Sequence, residues 1–391
     1  MRDGKIIIAR LFSKYEGNIP SRTPIFCGIN PEKYETIFVY HTKNSDNPNI
    51  FAEKGKKVFY VSSKKYPPSF SPTIIWKLSR LFKTENVDIV HCHRHSATTH
   101  GVIAARLAKI PIIFSHVHGM ERSRNLKRRL LNYIIFRWVS KILTVGEAVK
   151  KDVLLNNLSL NPDRVVSVGN SIDYDKFSKV SKNDVIRSEK FGIKKEALVF
   201  GTAGRLAETK GQKFLIQAFS QVKKRLPNAE LLIAGTGKLK DTLEKRAGEL
   251  GCKNSVHFLG RVENMLEFYS CIDVFVLPSV AEGLPRAIIE AMAASVPVIA
   301  ADAGGISEIL DNGKYGFMVV AKDETALAQA MIKMAEMPEN EKTELVKSAK
   351  KNIYDNFRHS VVIKREEKIY DTEIEKEFLY FKRKNELAAK I

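Results

Sequence analysis

Two glutamates and two cations are the residues of this 391-residue chain whose placement first invites chemistry. In AEGLPRAIIEAMAASVPVIAADAGG, residues 281–305, Glu282 stands in a Gly-Pro turn. Glu290 follows eight positions on, flanked by Ala287, Ile288, Ile289, Ala291 and Met292. A helix that apolar is buried over most of its circumference, and a carboxylate on it needs a partner. Plain solvation is the common fate of a helical glutamate, and an acid near a helix N-terminus also gains from the dipole. On these residues alone both readings stand.

The cations lie in GTAGRLAETKGQKFLIQAFSQV, residues 201–222, where an apolar stretch gives way to a helix. Gly201 and Gly204 allow a close backbone turn, and Arg205 and Lys210 set two positive charges near the helix N-terminus. Helix N-termini and cations both attract phosphate. At about 4 Å and an effective dielectric of about 20, each charge pair contributes roughly 4 kcal/mol before desolvation. Two such cations could hold a diphosphate; as ordinary loop charges they would be solvated. The spacing is neither GxxxxGK[ST] nor GxGxxG, which argues against an ATPase and a dehydrogenase.

Histidines form a third group. His91, His93 and His95 alternate in HCHRHS and so share one side of an extended segment. Zinc asks for three or four ligands in suitable geometry, often with a helix-spaced pair, so no metal is expected here. His116 and His118 follow in FSHVHG. A neutral imidazole there could position a hydroxyl, and a packed histidine is the alternative.

These residues need elements to hold them. Apolar strands are predicted at 5–12, 34–41, 56–62, 87–93, 110–118, 141–146 and 164–170, with helix-length segments such as 73–86 and 96–109 between them. The same rhythm restarts at 197–204, 229–235, 255–260, 273–278, 296–302 and 315–320. Near-continuous apolar strands alternating with helices imply parallel sheets covered on both faces. The hydrophilic stretch 171–196 reads as an interdomain connection. The expected organisation is α/β: a Rossmann-like domain over 1–175, a second over 176–365, and a helical extension over 366–391. Ligands of such sheets bind at the carboxyl ends of strands, where the singled-out residues fall.

Length suits two domains, and 44% hydrophobic content suits globular ones. No run of about 18 uncharged apolar residues could form a membrane span, and the apolar core of MRDGKIIIARLF is too short for a signal peptide. Cys27, Cys92, Cys252 and Cys271 lack CxxC spacing, which favours a reducing cytoplasm over a disulfide framework. Net charge is +20, and residues 1–175 carry 28 Lys and Arg against 14 Asp and Glu. Phosphate-rich partners or an anionic membrane surface suit that field. The segment ERSRNLKRRLLNYIIFRWVSK, residues 121–141, mixes Arg122, Arg124, Lys127, Arg128, Arg129 and Arg137 with aromatic and aliphatic side chains. It could lie on an anionic bilayer or serve as a scaffold helix with an apolar core face.

The ordered set GRLxxxKGQ, AGTG (234–237), VxFLGRV (256–262) and EGLPRAIIEAMA resembles the donor-binding domain of the family-4 retaining glycosyltransferases. The match is close over about 198–320 and weaker over the rest of the chain. The resemblance implies the GT-B architecture, two Rossmann-like domains whose parallel sheets face each other across a cleft. It implies metal-independent transfer of a hexosyl unit from a nucleotide diphosphate sugar to an acceptor hydroxyl, with no cofactor. By position, Arg205 and Lys210 would grip the diphosphate, Glu282 would face the sugar, and Glu290 would accept from the ribose. Gly204, the backbone of Gly283, Leu284 and Arg286, and Arg261 with Val262 beside the base would complete the donor site. Gly17 would sit in a phosphate-closing loop, although the family's second adjacent glycine is missing. His118 would lie beside the reacting sugar.

A UDP-sugar donor is favoured, with GDP-mannose open, and the acceptor would be a saccharide or lipid-linked saccharide of the cell envelope. The expected location is the cytoplasm or the inner face of the plasma membrane. The rival readings are a nucleotide-sugar 2-epimerase of similar architecture and a basic nucleic-acid binder. The first is disfavoured by GRLxxxKGQ, and the second by the lack of any RNA-binding motif.

Overall fold

The computed structural model describes residues 4–15, 23–43, 48–63, 70–120 and 125–388, with side chains to 380. Two compact units emerge, Met1–Gly169 with His359–Ile391, and Asn170–Arg358.

In the first unit β1 (Ile6–Tyr15), β2 (Tyr34–Lys43), β3 (Val58–Ser62), β4 (Ile89–His93), β5 (Ile112–Val117), β6 (Lys141–Thr144) and β7 (Val165–Ser167) form a parallel sheet in the order β3-β2-β1-β4-β5-β6-β7. In the second, β8 (Leu198–Ala203), β9 (Ala229–Ala234), β10 (Val256–Gly260), β11 (Val274–Leu277), β12 (Val298–Ala301) and β13 (Phe317–Val319) take the order β10-β9-β8-β11-β12-β13, again all parallel. Every expected strand is present, and β1 and β2 run on past their expected ends to Tyr15 and Lys43. Each sheet reverses its strand order once, between β1 and β4 and between β8 and β11. Those two reversals are the switch points where such sheets open a crevice for ligand.

Both units pin the switch point with the same device. Asp88, just before β4, accepts from the Ile7 amide at 2.8 Å and donates its own amide to Ile7 O at 2.9 Å. Asp273, just before β11, accepts from Val199 at 2.8 Å and donates to Val199 O at 2.7 Å. A carboxylate held by a backbone amide fixes strand register more tightly than apolar packing, which is non-directional.

Helices cover the second sheet through ordinary amphipathic spacing. Helix Gln212–Arg225 buries Leu215, Ile216, Phe219 and Val222, the i, i+4, i+7 face, against Phe200, Leu231 and Val276. Each such side chain stabilises the unit by about 1.5–3 kcal/mol on burial.

Two expected boundaries move. The hydrophilic stretch 171–196 is part of the second unit, not a connection. Its helix Asp184–Phe191 buries Arg187 completely, and the guanidinium donates to Cys271 O and Ala197 O at 3.1 Å while facing Asp273 at 2.9 Å. Likewise the C-terminal helix His359–Ala388 is no separate extension. It belongs to the first unit, where Tyr370 is fully buried among Ile8, Ile89 and Phe114. Both segments look hydrophilic because few of their residues face inward, yet those few are the anchors.

Candidate functional site

The loop leaving β8 is built on backbone. Gly204 donates to Ala234 O at 2.9 Å and Leu206 to Thr236 O at 3.0 Å, which ties it to the turn after β9. That turn needs glycine. Gly235 has φ +143°, and a Cβ there would lie 1.9 Å from Gly204 O. Gln212, the first residue of its helix, donates from Nε2 to Arg205 O at 2.9 Å. One 3-10 turn, Glu208–Lys210, then presents the Lys210 side chain.

The loop leaving β11 meets it across the switch point. Val280 and Ala281 donate to Thr209 O at 2.9 and 3.3 Å. Glu282 is buried, and its Oε1 receives both Lys210 Nζ at 2.5 Å and Ser279 Oγ at 2.7 Å. Gly304, at φ +60°, lies beneath, where a Cβ would come within 1.9 Å of Glu282 O. The glycine pair of DAGG therefore seats the Glu282 loop, and Gly305 donates to Gly283 O at 3.0 Å.

Glu290 sits in helix Arg286–Ala293, whose Ile288, Ile289, Ala291, Met292 and Ala293 are buried as the apolar run requires. The chain itself satisfies this carboxylate: Tyr269 donates its hydroxyl to Oε2 at 3.2 Å, and the Arg286 guanidinium lies 3.6 Å from Oε1. Burial pushes the Glu290 pKa up; Arg286 and Tyr269 oppose that shift without cancelling it. Neither solvation nor the helix dipole accounts for its environment. Arg286, singled out for its backbone, contributes its side chain as well.

Among the other residues named from sequence, Leu284 is buried, and its carbonyl accepts from Asn170 Nδ2 at 2.8 Å. Arg261 and Val262 follow the edge strand β10, whose Gly260 O accepts from Gly235 at 2.7 Å. Gly17 lies outside the described residues. Sequence reasoning missed Ser279 and Tyr269, which no motif spacing marked. It also assigned Lys210 and Glu282 to different parts of a ligand without pairing them.

In the first unit His91 and His93 lie on β4, His116 on β5 and His118 just beyond it, whereas His95 begins the helix His95–Leu107 and leaves the extended segment expected for it. His91 Nε2 is 3.3 Å from His116 Nδ1, and His93 Nδ1 is 3.2 Å from His118 Nε2. Burial, the Arg10 charge and the neighbouring rings hold the pKa of His91 and His93 well below the ordinary imidazole value. The ligand atoms of His91, His93 and His116 lie within 4.8 Å of one another, close enough to suggest a metal. Their planes differ by only 13–30°. The fixed charge of Arg10, whose NH1 stands 3.5 Å from His91 Nδ1, however, disfavours a second cation among them. Arg10 was missed in the sequence, although a lone charge inside KIIIARLF was the signal. His116 and His118 line a cavity with Arg94, Thr98, Ser115 and Asn132.

Helix Leu126–Ile135 has features of both readings of the basic segment, for Asn132, Ile135 and the following Phe136 are buried as in a scaffold helix. Leu126, Leu130, Tyr133, Ile134 and Trp138 are exposed, so this apolar stripe is not core. Lys127, Arg128, Arg129 and Arg137 are exposed beside it, and the Arg137 guanidinium stacks 4.2 Å over the Tyr133 ring. Arg122 and Arg124 lie outside the described residues. Among the described residues no helix is long and apolar enough to cross a membrane.

The second switch point carries Lys210 paired to the buried Glu282, with Glu290 half-buried and Arg205 exposed, and the two parallel sheets with their covering helices are those of the GT-B fold. Residues 185–352 match the family model for glycosyl transferases group 1, and residues 33–176 match that for glycosyltransferase family 4. EpsF of Bacillus subtilis, which bears a glycosyltransferase name, is 30% identical over 292 residues, 72% of this chain and 75% of its own. The UDP-Gal:alpha-D-GlcNAc-diphosphoundecaprenol alpha-1,3-galactosyltransferase of Escherichia coli is 26% identical over 309 residues, 76% of this chain and 78% of its own. In fold, the chain is similar to HepE of Anabaena, solved in complex with UDP. The TM-score is 0.78 at 20% identity, over 94% of this chain and 100% of that one. The chain belongs to the family-4 glycosyltransferases and is a transferase enzyme.

Proposed function

We propose that the protein transfers a hexosyl unit from a UDP-sugar to a hydroxyl of a saccharide or lipid-linked saccharide, with retention and without a metal ion, at an anionic membrane surface. The observation that carries this reading is the Lys210–Glu282 pair at the second switch point. The named donor and lipid-linked acceptor of the E. coli relative, and the UDP bound by HepE, support it.

Arg205 and Lys210 hold the diphosphate. Lys210 has three N–H donors, so one can stay on Glu282 while others reach phosphate. Ser279 and Lys210 share Glu282 Oε1, and Oε2 is the atom we assign to a sugar hydroxyl. Glu290 accepts from the ribose. The amides of Gly283, Leu284 and Arg286 serve sugar and phosphate oxygens, Gly204 lets the loop approach, and Arg261 and Val262 border the base. In the first unit His118 positions a hydroxyl.

The bond from the anomeric carbon to the diphosphate oxygen breaks while the acceptor oxygen bonds to the same face. The acceptor's proton passes to the departing diphosphate, and its negative charge is met by Arg205 and Lys210. The protein contributes orientation and electrostatic stabilisation, and no residue serves as a covalent nucleophile. The exposed stripe of Leu126, Leu130, Ile134 and Trp138 enters the interfacial layer of an anionic bilayer, where each flanking Lys or Arg adds about 1 kcal/mol.

The experiment is thermal stabilisation by UDP, GDP, TDP, ADP and CMP, repeated on Lys210→Ala and Glu290→Ala. A nucleotide at about 100 times its dissociation constant adds roughly 2.7 kcal/mol. UDP is expected to stabilise the native protein and neither variant. No response to any nucleotide would remove the basis for the donor site.

A further inference from the structure

The buried charge of Arg10 is answered from the C-terminal helix, and the answer continues past it. Glu366 faces the Arg10 guanidinium, and both side chains are almost wholly buried. Tyr370, one helical turn on, has its hydroxyl 2.7 Å from Glu366 Oε1 and 2.5 Å from His91 Nδ1. His91 Nε2 in turn meets His116 Nδ1 at 3.3 Å. Four side chains thus form one chain of hydrogen bonds ending at a residue that lines the first unit's cavity.

The direction of each bond follows from the first. A carboxylate facing a guanidinium only accepts, so Tyr370 donates its O–H to Glu366. The Tyr370 oxygen then serves as acceptor, and His91 carries its hydrogen on Nδ1. Arg10 NH1, at 3.5 Å from that nitrogen, is at the outer limit of a hydrogen bond. Burial and the Arg10 charge keep His91 neutral, so its Nε2 has a lone pair and accepts from His116 Nδ1–H. In its neutral form His116 then has Nε2 as its acceptor atom.

We propose that Glu366 and Tyr370 set the tautomer of His116 through His91, so that the cavity receives a ligand hydroxyl as a hydrogen-bond donor. Tyr370 is then a positioning residue for the acceptor saccharide. This rests on the transferase reading above. The opposite tautomer would make His116 a donor and suit an anionic group instead. The C-terminal helix therefore contributes to ligand choice although none of its described residues lines the cavity.

Nitrogen-15 NMR of the full chain labelled in histidine reads the tautomer without any substrate. His91 and His116 are expected in the Nδ1–H form, and Tyr370→Phe is expected to move both toward Nε2–H. Finding the native His116 as Nε2–H overturns the proposal even if the variant fails to fold. In activity, Tyr370→Phe should lower kcat/KM for the acceptor about tenfold, the scale of one hydrogen bond, with UDP affinity unchanged. That loss should vanish in a His116→Ala background, because the two act in series. An equal loss in that background, or no loss from Tyr370→Phe alone, would sink the positioning role. The nucleotide panel judges the transferase reading separately.

Discussion

Lys210 Nζ lies 2.5 Å from Glu282 Oε1, although 72 positions separate the two residues in sequence. The pair closes the switch point of the second unit, joining the loop after β8 to the loop after β11. Removing either partner is therefore expected to have unequal effects. Lys210→Ala leaves the buried Glu282 with Ser279 alone and should cost about 1–3 kcal/mol of stability, with UDP binding lost. Glu282→Gln keeps the shape and should lower kcat far more than it weakens UDP. Urea titration and steady-state kinetics on both variants check this; a Glu282→Gln enzyme with native kcat would remove Glu282 from the sugar site.

Glu290 offers a pH-dependent outcome. Its folded pKa is raised above the ordinary 4.5 by burial. The group therefore contributes stability that is complete below 4.5 and lost as pH rises through the raised folded value. Glu290→Gln escapes that loss, so the variant's Tm should exceed the native Tm at neutral pH, and the gap should close on acidification toward 4.5. UDP binding should nevertheless weaken, because the amide is a poorer acceptor for ribose hydroxyls. Thermal melts with and without UDP from pH 4 to 8 separate the two effects. A variant less stable than the native protein at neutral pH would contradict the sign.

Gly304 carries the floor of the Glu282 loop. At φ +60° and with a Cβ position 1.9 Å from Glu282 O, Gly304→Ala must push that loop away. A loss of about 1–3 kcal/mol is expected, with most of the transferase activity. Gly248 is the control: it lies in helix Lys240–Glu249 with open space around its Cβ position. Gly248→Ala should gain up to about 1 kcal/mol and leave activity unchanged. Chemical denaturation of the two variants decides it.

The exposed stripe of helix Leu126–Ile135 predicts where the protein sits. At low salt it should co-sediment with vesicles containing phosphatidylglycerol and leave neutral ones in solution. Arg128→Glu with Arg129→Glu should release it, as should raised salt. Equal binding to neutral and anionic vesicles would refute the electrostatic part of the docking.

Strands, unit count and the loops that meet at the second switch point were legible in the sequence, for local reasons. Buried parallel strands must be apolar throughout, and a strand–loop–helix junction must place its glycines and cations within a few residues of one another. The match of GRLxxxKGQ and EGLPRAIIEAMA to a family rests on the same short-range constraint. Tertiary structure alone decided the rest. Lys210 meets Glu282 because the strand order reverses between β8 and β11, and no local pattern encodes which strands become neighbours. Arg187 and Tyr370 look unremarkable within hydrophilic stretches, yet each is a fully buried anchor. The spacing of the histidines of β4 and β5 showed neither their mutual contacts nor the charge beside them. Only the fold brings them within hydrogen-bonding distance of one another and sets beside them the Arg10 charge, answered by Glu366 from a helix 356 positions away.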